Sequence, residues 1–516
     1  MTRESRRLYG TVAACAVVFY LGALGNRWAL DDLRIILGNP LVHSSTGWWR
    51  AFGSSYWPPE VGAYLYRPLT IATYALDWHL DGPALFHAVN VVWHALASVL
   101  VAVLARRWIN TAAALVAGVL FAVHPVHVEA VAQVVGRAEL MATVFTLLAV
   151  YAALERQSIG WSTACWILGL LCKESAVVAP GLIALAWGLG IGRPARGRMI
   201  GLCVSWLVAG ASYAFLRHVV LGQYPPVYIL APQFIGQHAT PARITAVAAW
   251  SDIFRLLLFP LKLRADYSPN ERTIVSSPFD PRFVIGLLCG LAWIALAILV
   301  WRRGRKVETL GLAWVPLAYA PVSNLLFPVG ILIAERTLYL PSVGLALAVG
   351  GLARNLRGGA LVGLVAALAV LGGVHTARRV PVWRTNVSAT LSILEDSPRS
   401  YVGPMIMASV YLEQHGAEKI RRGDAIGADT FAIKALQAAR VSIDTFPLEA
   451  RPYMIGAHAA LILGQYALAD SFFQRVNRFC DPCRSLYETE ATIARRFGDP
   501  AVADTLLANA RRLTRP

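Results

Sequence analysis

Ionisable side chains interrupt the apolar stretches of this chain at five places. Asp31 and Asp32 follow the first apolar run, and His124, His127 and Glu129 close another in the string His-Pro-Val-His-Val-Glu. Arg137 and Glu139 open the next, Lys173 and Glu174 break the stretch 160–190, and Glu335 and Arg336 precede a further run. A charge at bilayer depth is expensive unless it is paired or faces a wet cavity, so such residues are functional candidates by default. Together they suit group transfer at a membrane surface. A carboxylate can take the proton of an acceptor hydroxyl as it attacks an anomeric carbon. Arg and Lys can hold a leaving phosphate, Arg through two parallel hydrogen bonds. The residue types alone do not make the donor a sugar.

Each group also has a purely structural reading. Asp31-Asp32 can be an ordinary helix N-cap. His124, His127 and Glu129 are metal-ligand types at close spacing, but Pro125 interrupts regular helix there. Arg137 with Glu139, Lys173 with Glu174 and Glu335 with Arg336 can be local ion pairs that neutralise charge within the membrane. Five such groups on one face favour a common site, and no metal is expected in it.

The elements that must position these residues are membrane helices. Hydrophobic residues make up 57% of the chain and charged residues 15%, with mean hydropathy +0.53. Soluble domains carry about 25% charged residues, so this composition cannot coat a water-facing surface. Runs at 8–26, 85–105, 282–301 and 358–377 each reach the roughly 20 residues that cross a bilayer. The net charge of +17 lies in short loops between such runs, where it sets orientation rather than binding nucleic acid. Arg3, Arg6 and Arg7 put the N-terminus in the cytoplasm. Tracing the runs gives about eleven spans over residues 1–384, with all five charged groups on the external face. An apolar patch at 253–263 is read as interfacial or re-entrant, and Arg378 and Arg379 fall on the external side, against the positive-inside rule.

After residue 384 the long apolar runs stop. Gly464-Gln465-Tyr466-Ala467-Leu468-Ala469-Asp470 aligns with Gly498-Asp499-Pro500-Ala501-Val502-Ala503-Asp504 at an offset of 34 residues, the tetratricopeptide period. Gly423 with Ala428 and Asp429 fits the same frame. The expected architecture is therefore all-α: a polytopic membrane domain, 1–384, and a soluble domain of about three helix pairs, 385–516. Cys480 and Cys483 form a CxxC in that domain, suited to a local disulfide on an oxidising face but too few for zinc.

At these residues the sequence resembles the transmembrane and tetratricopeptide-repeat O-mannosyltransferases of the C-type glycosyltransferase superfamily. The resemblance is carried by Asp31-Asp32, Tyr66-Arg67-Pro68-Leu69, Phe86-His87-Ala88-Val89-Asn90, and His124 through Val131. Gly136-Arg137-Ala138-Glu139-Leu140, Lys173-Glu174, Ala265-Asp266-Tyr267, Pro321-Val322-Ser323-Asn324 and Ala334 through Ser342 continue it in order. It implies a polyprenyl- or dolichyl-phosphate sugar as donor, mannose above all, with transfer to protein Ser or Thr on the periplasmic or lumenal face and no cofactor. It implies Asp31 or Asp32 as the base, Asp31 foremost, and Arg137, Lys173 and Arg336 as donor-phosphate ligands. His124, Glu129, Glu139, Glu174 and Glu335 would shape the site or position those cations. The Arg-rich, Lys-poor composition fits a bacterial inner-membrane protein. Members of this family carry many repeats and this chain about three, so its tail would bind a partner protein or part of an acceptor polypeptide. A lipid or surface-glycan acceptor, or a non-catalytic scaffold, are the alternatives.

Overall fold

A computed structural model describes residues 2–58, 64–80, 82–223 and 231–476, together with 491, 501, 504, 507 and 508. Most of the repeat copy at 498–504 and both cysteines of the CxxC lie outside the described residues. The described residues are helical and include no strand. The chain divides into two compact units. One comprises Met1–Ala231, Gln237–Ala265 and Ile274–Ala389, the other Pro232–Gly236, Asp266–Thr273 and Thr390–Pro516.

In the first unit helix ends are written in local sequence. Pro83 begins the helix Pro83–Trp108, where its missing N–H is harmless, and Arg106 and Arg107 occupy the last turn. Asn110 caps the next helix, Thr111–Val123, by accepting from the Ala113 N–H. Pro125 then breaks the run. His124 turns extended, its Nδ1 accepts from the Val126 N–H, and the chain bends by 47° into the short turns that carry His127 and Glu129. Lys173 is likewise extended and separates the helix Ile159–Cys172 from the 3-10 turn Glu174–Val178.

Among the described residues seven helices are long and apolar enough to cross a membrane, or eight if the bent pair at Pro125 is one span. The remaining expected spans, near 160–190 and 309–328, are the shorter helices Ile159–Cys172, Ala179–Gly188 and Lys306–Tyr319. Burial sorts the long helices. Val134–Leu154 and Glu335–Asn355 are each 83% buried over their most apolar window, whereas Arg196–Leu221, Pro281–Arg302 and Gly358–Trp383 are 17%, 11% and 11% buried. The two enclosed helices begin with Arg137, Glu139, Glu335 and Arg336, and the open ones present apolar surface of the kind lipid covers. Lys306–Tyr319 and Tyr339–Leu352 cross almost backbone to backbone, because a Cβ on Gly344 would collide with the Gly311 carbonyl and with Trp314.

Two ends of this unit are distinguishable. At one, Arg106 meets Ser5, Arg354 meets the buried Glu308, and Asn110 Nδ2 donates to the Arg354 carbonyl. At the other, the end of the last apolar helix lies beside the end of the first. The Arg27 N–H donates to the Arg384 carbonyl at 2.7 Å, and the Leu30 N–H to Asn386 Oδ1 at 3.0 Å.

In the second unit the helices Ala425–Thr445, Ala450–Ile462 and Tyr466–Val476 pack in succession around Tyr453, Ala457, Leu461 and Phe473. Gly423 and Gly464 each stand at positive φ just before a helix begins. The Asp266 carboxylate accepts from the Ser268 and Ser400 hydroxyls, and Glu271 from the Arg399 N–H, so segment 266–273 secures the start of the helix Val402–Ser409.

Candidate active site

The site is built from four turns at the Asp31 end of the first unit. The first carries the Asp pair. Asp32 is fully buried, and its carboxylate accepts from the Ala29 N–H at 3.1 Å and the Val135 N–H at 2.9 Å. It thus pins the segment after the first apolar helix to the turn before Arg137. Burial pushes the Asp32 carboxyl up to about 7, although the two N–H bonds pull the other way. Asp31 is half-buried, and among the described residues its carboxylate carries no ion pair. The pair is therefore divided: Asp32 holds backbone, and Asp31 is left available.

The second turn joins Glu129 to Arg336, which are 207 residues apart. The Glu129 carboxylate receives both the Arg336 backbone N–H, at 2.8 Å, and its guanidinium. One step deeper, His127 Nε2 lies 2.7 Å from the Ser342 hydroxyl. That hydroxyl donates its proton to the Tyr339 carbonyl, so the imidazole is the donor of the bond. His124 Nε2 similarly donates to the Leu257 carbonyl at 3.0 Å. Each ring is held through its Nε2, and among the described residues no three His, Cys, Asp or Glu side chains are arranged to hold a metal ion. Glu335 points elsewhere and accepts from the Arg264 N–H at 2.5 Å.

The third turn carries Lys173, whose ammonium pairs with Glu139 on the neighbouring helix. The fourth brings Arg67, whose Nε and Nη2 reach one oxygen of Glu174 at 3.0 and 2.9 Å. Electrostatic interaction links the whole set: Arg336 is acted on by Glu129, Asp31 and Glu139, and Lys173 by Glu139, Arg67 and Arg336. Three cations, each tethered to its own carboxylate, form one linked set, and Asp31 joins it through Arg336.

The pairings expected between sequence neighbours are replaced. Arg137 pairs with Asp77 rather than Glu139, Lys173 with Glu139 rather than Glu174, and Arg336 with Glu129 rather than Glu335. Residues one or two apart on a helical turn point in different directions, so their partners come from other elements. Arg137, one of the expected phosphate ligands, is fully buried, and besides Asp77 it donates to Asn90 Oδ1 and the Phe86 carbonyl, each at 2.9 Å. Its donors are directed into the core in this arrangement.

Arg67, Asp77 and Tyr56 were not recognised as site or support residues from spacing. Arg67 stands in the Tyr-Arg-Pro-Leu string, extended before a proline, and that string was the available signal. Asp77 ends the helix Pro68–Trp78, and an acidic residue in so apolar a helix marks a buried cation nearby.

A buried ionic cluster at one end of a bundle of apolar helices defines a polytopic membrane protein with a charged site under the turns at that end. Comparison with known proteins narrows this. The chain is 30% identical over 392 residues to the mouse protein O-mannosyl-transferase TMTC3, covering 67% of this chain and 42% of that one. It is 28% identical over 462 residues to human protein O-mannosyl-transferase TMTC4 (75% and 61%), and 33% over 312 residues to Tmtc2 of Drosophila melanogaster (54% and 33%). The chain belongs to this family of protein O-mannosyl-transferases, and spans about two-fifths to three-fifths of the length of the first two of these relatives. No family model matches the chain, and no solved structure does.

Proposed function

We propose that the chain transfers a sugar, mannose, from a polyprenyl-phosphate donor to Ser or Thr hydroxyls of a polypeptide on the extracytoplasmic face of the membrane. The linking of Asp31 through Arg336 to Lys173 and their tethering carboxylates carries this reading, and the activity for which the relatives are named supports it. Asp31 takes the proton of the acceptor hydroxyl as its oxygen bonds to the anomeric carbon. The bond from that carbon to the phosphate oxygen breaks, and the electron pair leaves with the polyprenyl phosphate. The donor is a phosphodiester with one negative charge and the product a monoester with two. Lys173 and Arg336 meet the added charge, and each is already aimed by a carboxylate, so little reorganisation is needed when it develops. Asp32, Glu129, Glu139, His124 and Glu335 hold the turns, and the apolar helices shelter the lipid tail.

About eleven spans, with the helical-repeat tail on the external face, complete this reading. The test is a transfer assay with purified full-length protein, labelled polyprenyl-phosphate mannose and a Ser/Thr-rich peptide pool. Sugar should appear on peptide with the wild type and not with Asp31→Asn. Full transfer by Asp31→Asn would remove the proposed base. Transfer only to glycolipid acceptors would redirect the reading to a lipid or surface-glycan acceptor.

A further inference from the structure

Arg67 is the one cation of the cluster that the proposed chemistry does not use, and its contacts run in two directions. On one side both Nε and Nη2 converge on a single oxygen of Glu174, the residue that follows Lys173. On the other its guanidinium carbon lies 5.0 Å from the centroid of the Tyr56 ring. Tyr56 is buried, interacts electrostatically with Asp31 and Asp32, and joins the two arms of the first external segment by donating its N–H to the Leu65 carbonyl at 2.7 Å. A second tie runs parallel, from the Thr70 hydroxyl to the Cys172 carbonyl at 3.0 Å. Glu174 is 34% exposed and Arg67 only 14%, so the guanidinium lies behind the carboxylate rather than in front of it.

We propose that Arg67 is a positioning residue: with Glu174 and Tyr56 it forms a strut that sets the separation between the acceptor base Asp31 and the donor-side cation Lys173. The inference rests on the transferase reading of the same site. A planar fork is required, because one group must place two N–H bonds on a carboxylate and a flat face on an aromatic ring at once. Lys supplies the charge without either. The strut spans the junction between the loop that brings the acceptor and the turn that holds the donor. A change in its length therefore moves the two reactants apart without removing a ligand of either, and misplacement of about 1 Å can cost on the order of 100-fold in rate.

Steady-state transfer and limited proteolysis of full-length protein in detergent test this together. Arg67→Lys should lower kcat at least tenfold while the donor KM changes less than threefold. Arg67→Glu should abolish transfer, and the exchanged pair Arg67→Glu with Glu174→Arg should recover a substantial part of it. A raised donor KM with unchanged kcat in Arg67→Lys, or no recovery in the exchanged pair, would overturn the strut and make Arg67 a direct phosphate ligand. The proteolysis needs no turnover. Cleavage within the first external segment should accelerate in Arg67→Glu and slow again in the exchanged pair. If the wild type transfers no mannose but this protection pattern holds, the strut stands and the donor assignment fails. Equal cleavage in all variants would sink the strut itself.

Discussion

At the scale of the residue, two adjacent aspartates have been given different work by a difference in burial. Asp32 accepts two backbone N–H bonds in a water-free position, and Asp31 keeps its carboxylate available. Asp31→Asn should therefore lower transfer by roughly 10²–10⁴-fold, the usual worth of a general base, with an unchanged melting midpoint. Asp32→Asn should lower the midpoint as well, because its amide nitrogen must face a backbone N–H that the carboxylate had satisfied. Side-by-side activity and thermal-shift measurements separate the two. Asp32 also predicts a pH effect. Its folded value, about 7, lies above the ordinary carboxylate value, so the folded state binds the proton more tightly than the unfolded one. Stability should be greatest below about pH 4 as far as this group is concerned, and should fall as pH rises from there to 7. Asp32→Asn should abolish that slope in midpoint-against-pH curves. A third prediction concerns Arg137. Its removal in Arg137→Ala strands the Asp77 carboxylate in the core and should cost about 3–5 kcal/mol, whereas the double variant with Asp77→Ala should cost less than the single one. Chemical or thermal unfolding of the three proteins checks this. The charged residues themselves were legible in the sequence, because apolar context makes each conspicuous. Their partners were not, since Glu129 and Arg336 are separated by 207 residues and Arg67 and Glu174 by 107.

At the scale of the element, punctuation decided what could be read. Pro125, Lys173 and the Ala334–Arg336 segment interrupt apolar runs, and each interruption is a turn that carries site residues. The two most buried helices begin with charges, and neighbouring helices enclose those ends. The helix positions were visible from hydropathy. Their packing was not, because apolar side chains face protein and lipid alike and carry no record of which they meet. Gly311 and Gly344 are an exception only in retrospect, since small residues are common in membrane helices and only contact shows which pair touches. Gly344→Ala places a methyl group against the Gly311 carbonyl and should destabilise by about 1–3 kcal/mol. The start of this helix carries Arg336, so transfer should fall in parallel with the thermal midpoint. An unchanged midpoint would mean that the crossing relaxes without cost.

At the scale of the whole molecule, the odd number of spans in the proposed reading puts the tail on the face that carries Asp31. Within the first unit, Arg384 and Asn386 accept from the backbone of Arg27 and Leu30, so the chain leaves its last apolar helix beside Asp31. Within the second unit, segments 232–236 and 266–273 come from the loop between Arg196–Leu221 and Pro281–Arg302, and Ser400 donates to Asp266. The proposed reading requires the tail on the side of Asp31. The proposed orientation puts Arg3, Arg6, Arg7, Arg106, Arg107, Arg302 and Arg303 on the cytoplasmic side, against Arg378 and Arg379 on the other. Single cysteines at Ser45, Arg399 and Arg303, placed in a cysteine-free background, will read this directly with a membrane-impermeant maleimide. Positions 45 and 399 should label from the extracytoplasmic side and 303 only after the membrane is opened. Labelling of 45 and 399 from opposite sides would separate the tail from the proposed base, and with it any role for the tail in presenting an acceptor to Asp31.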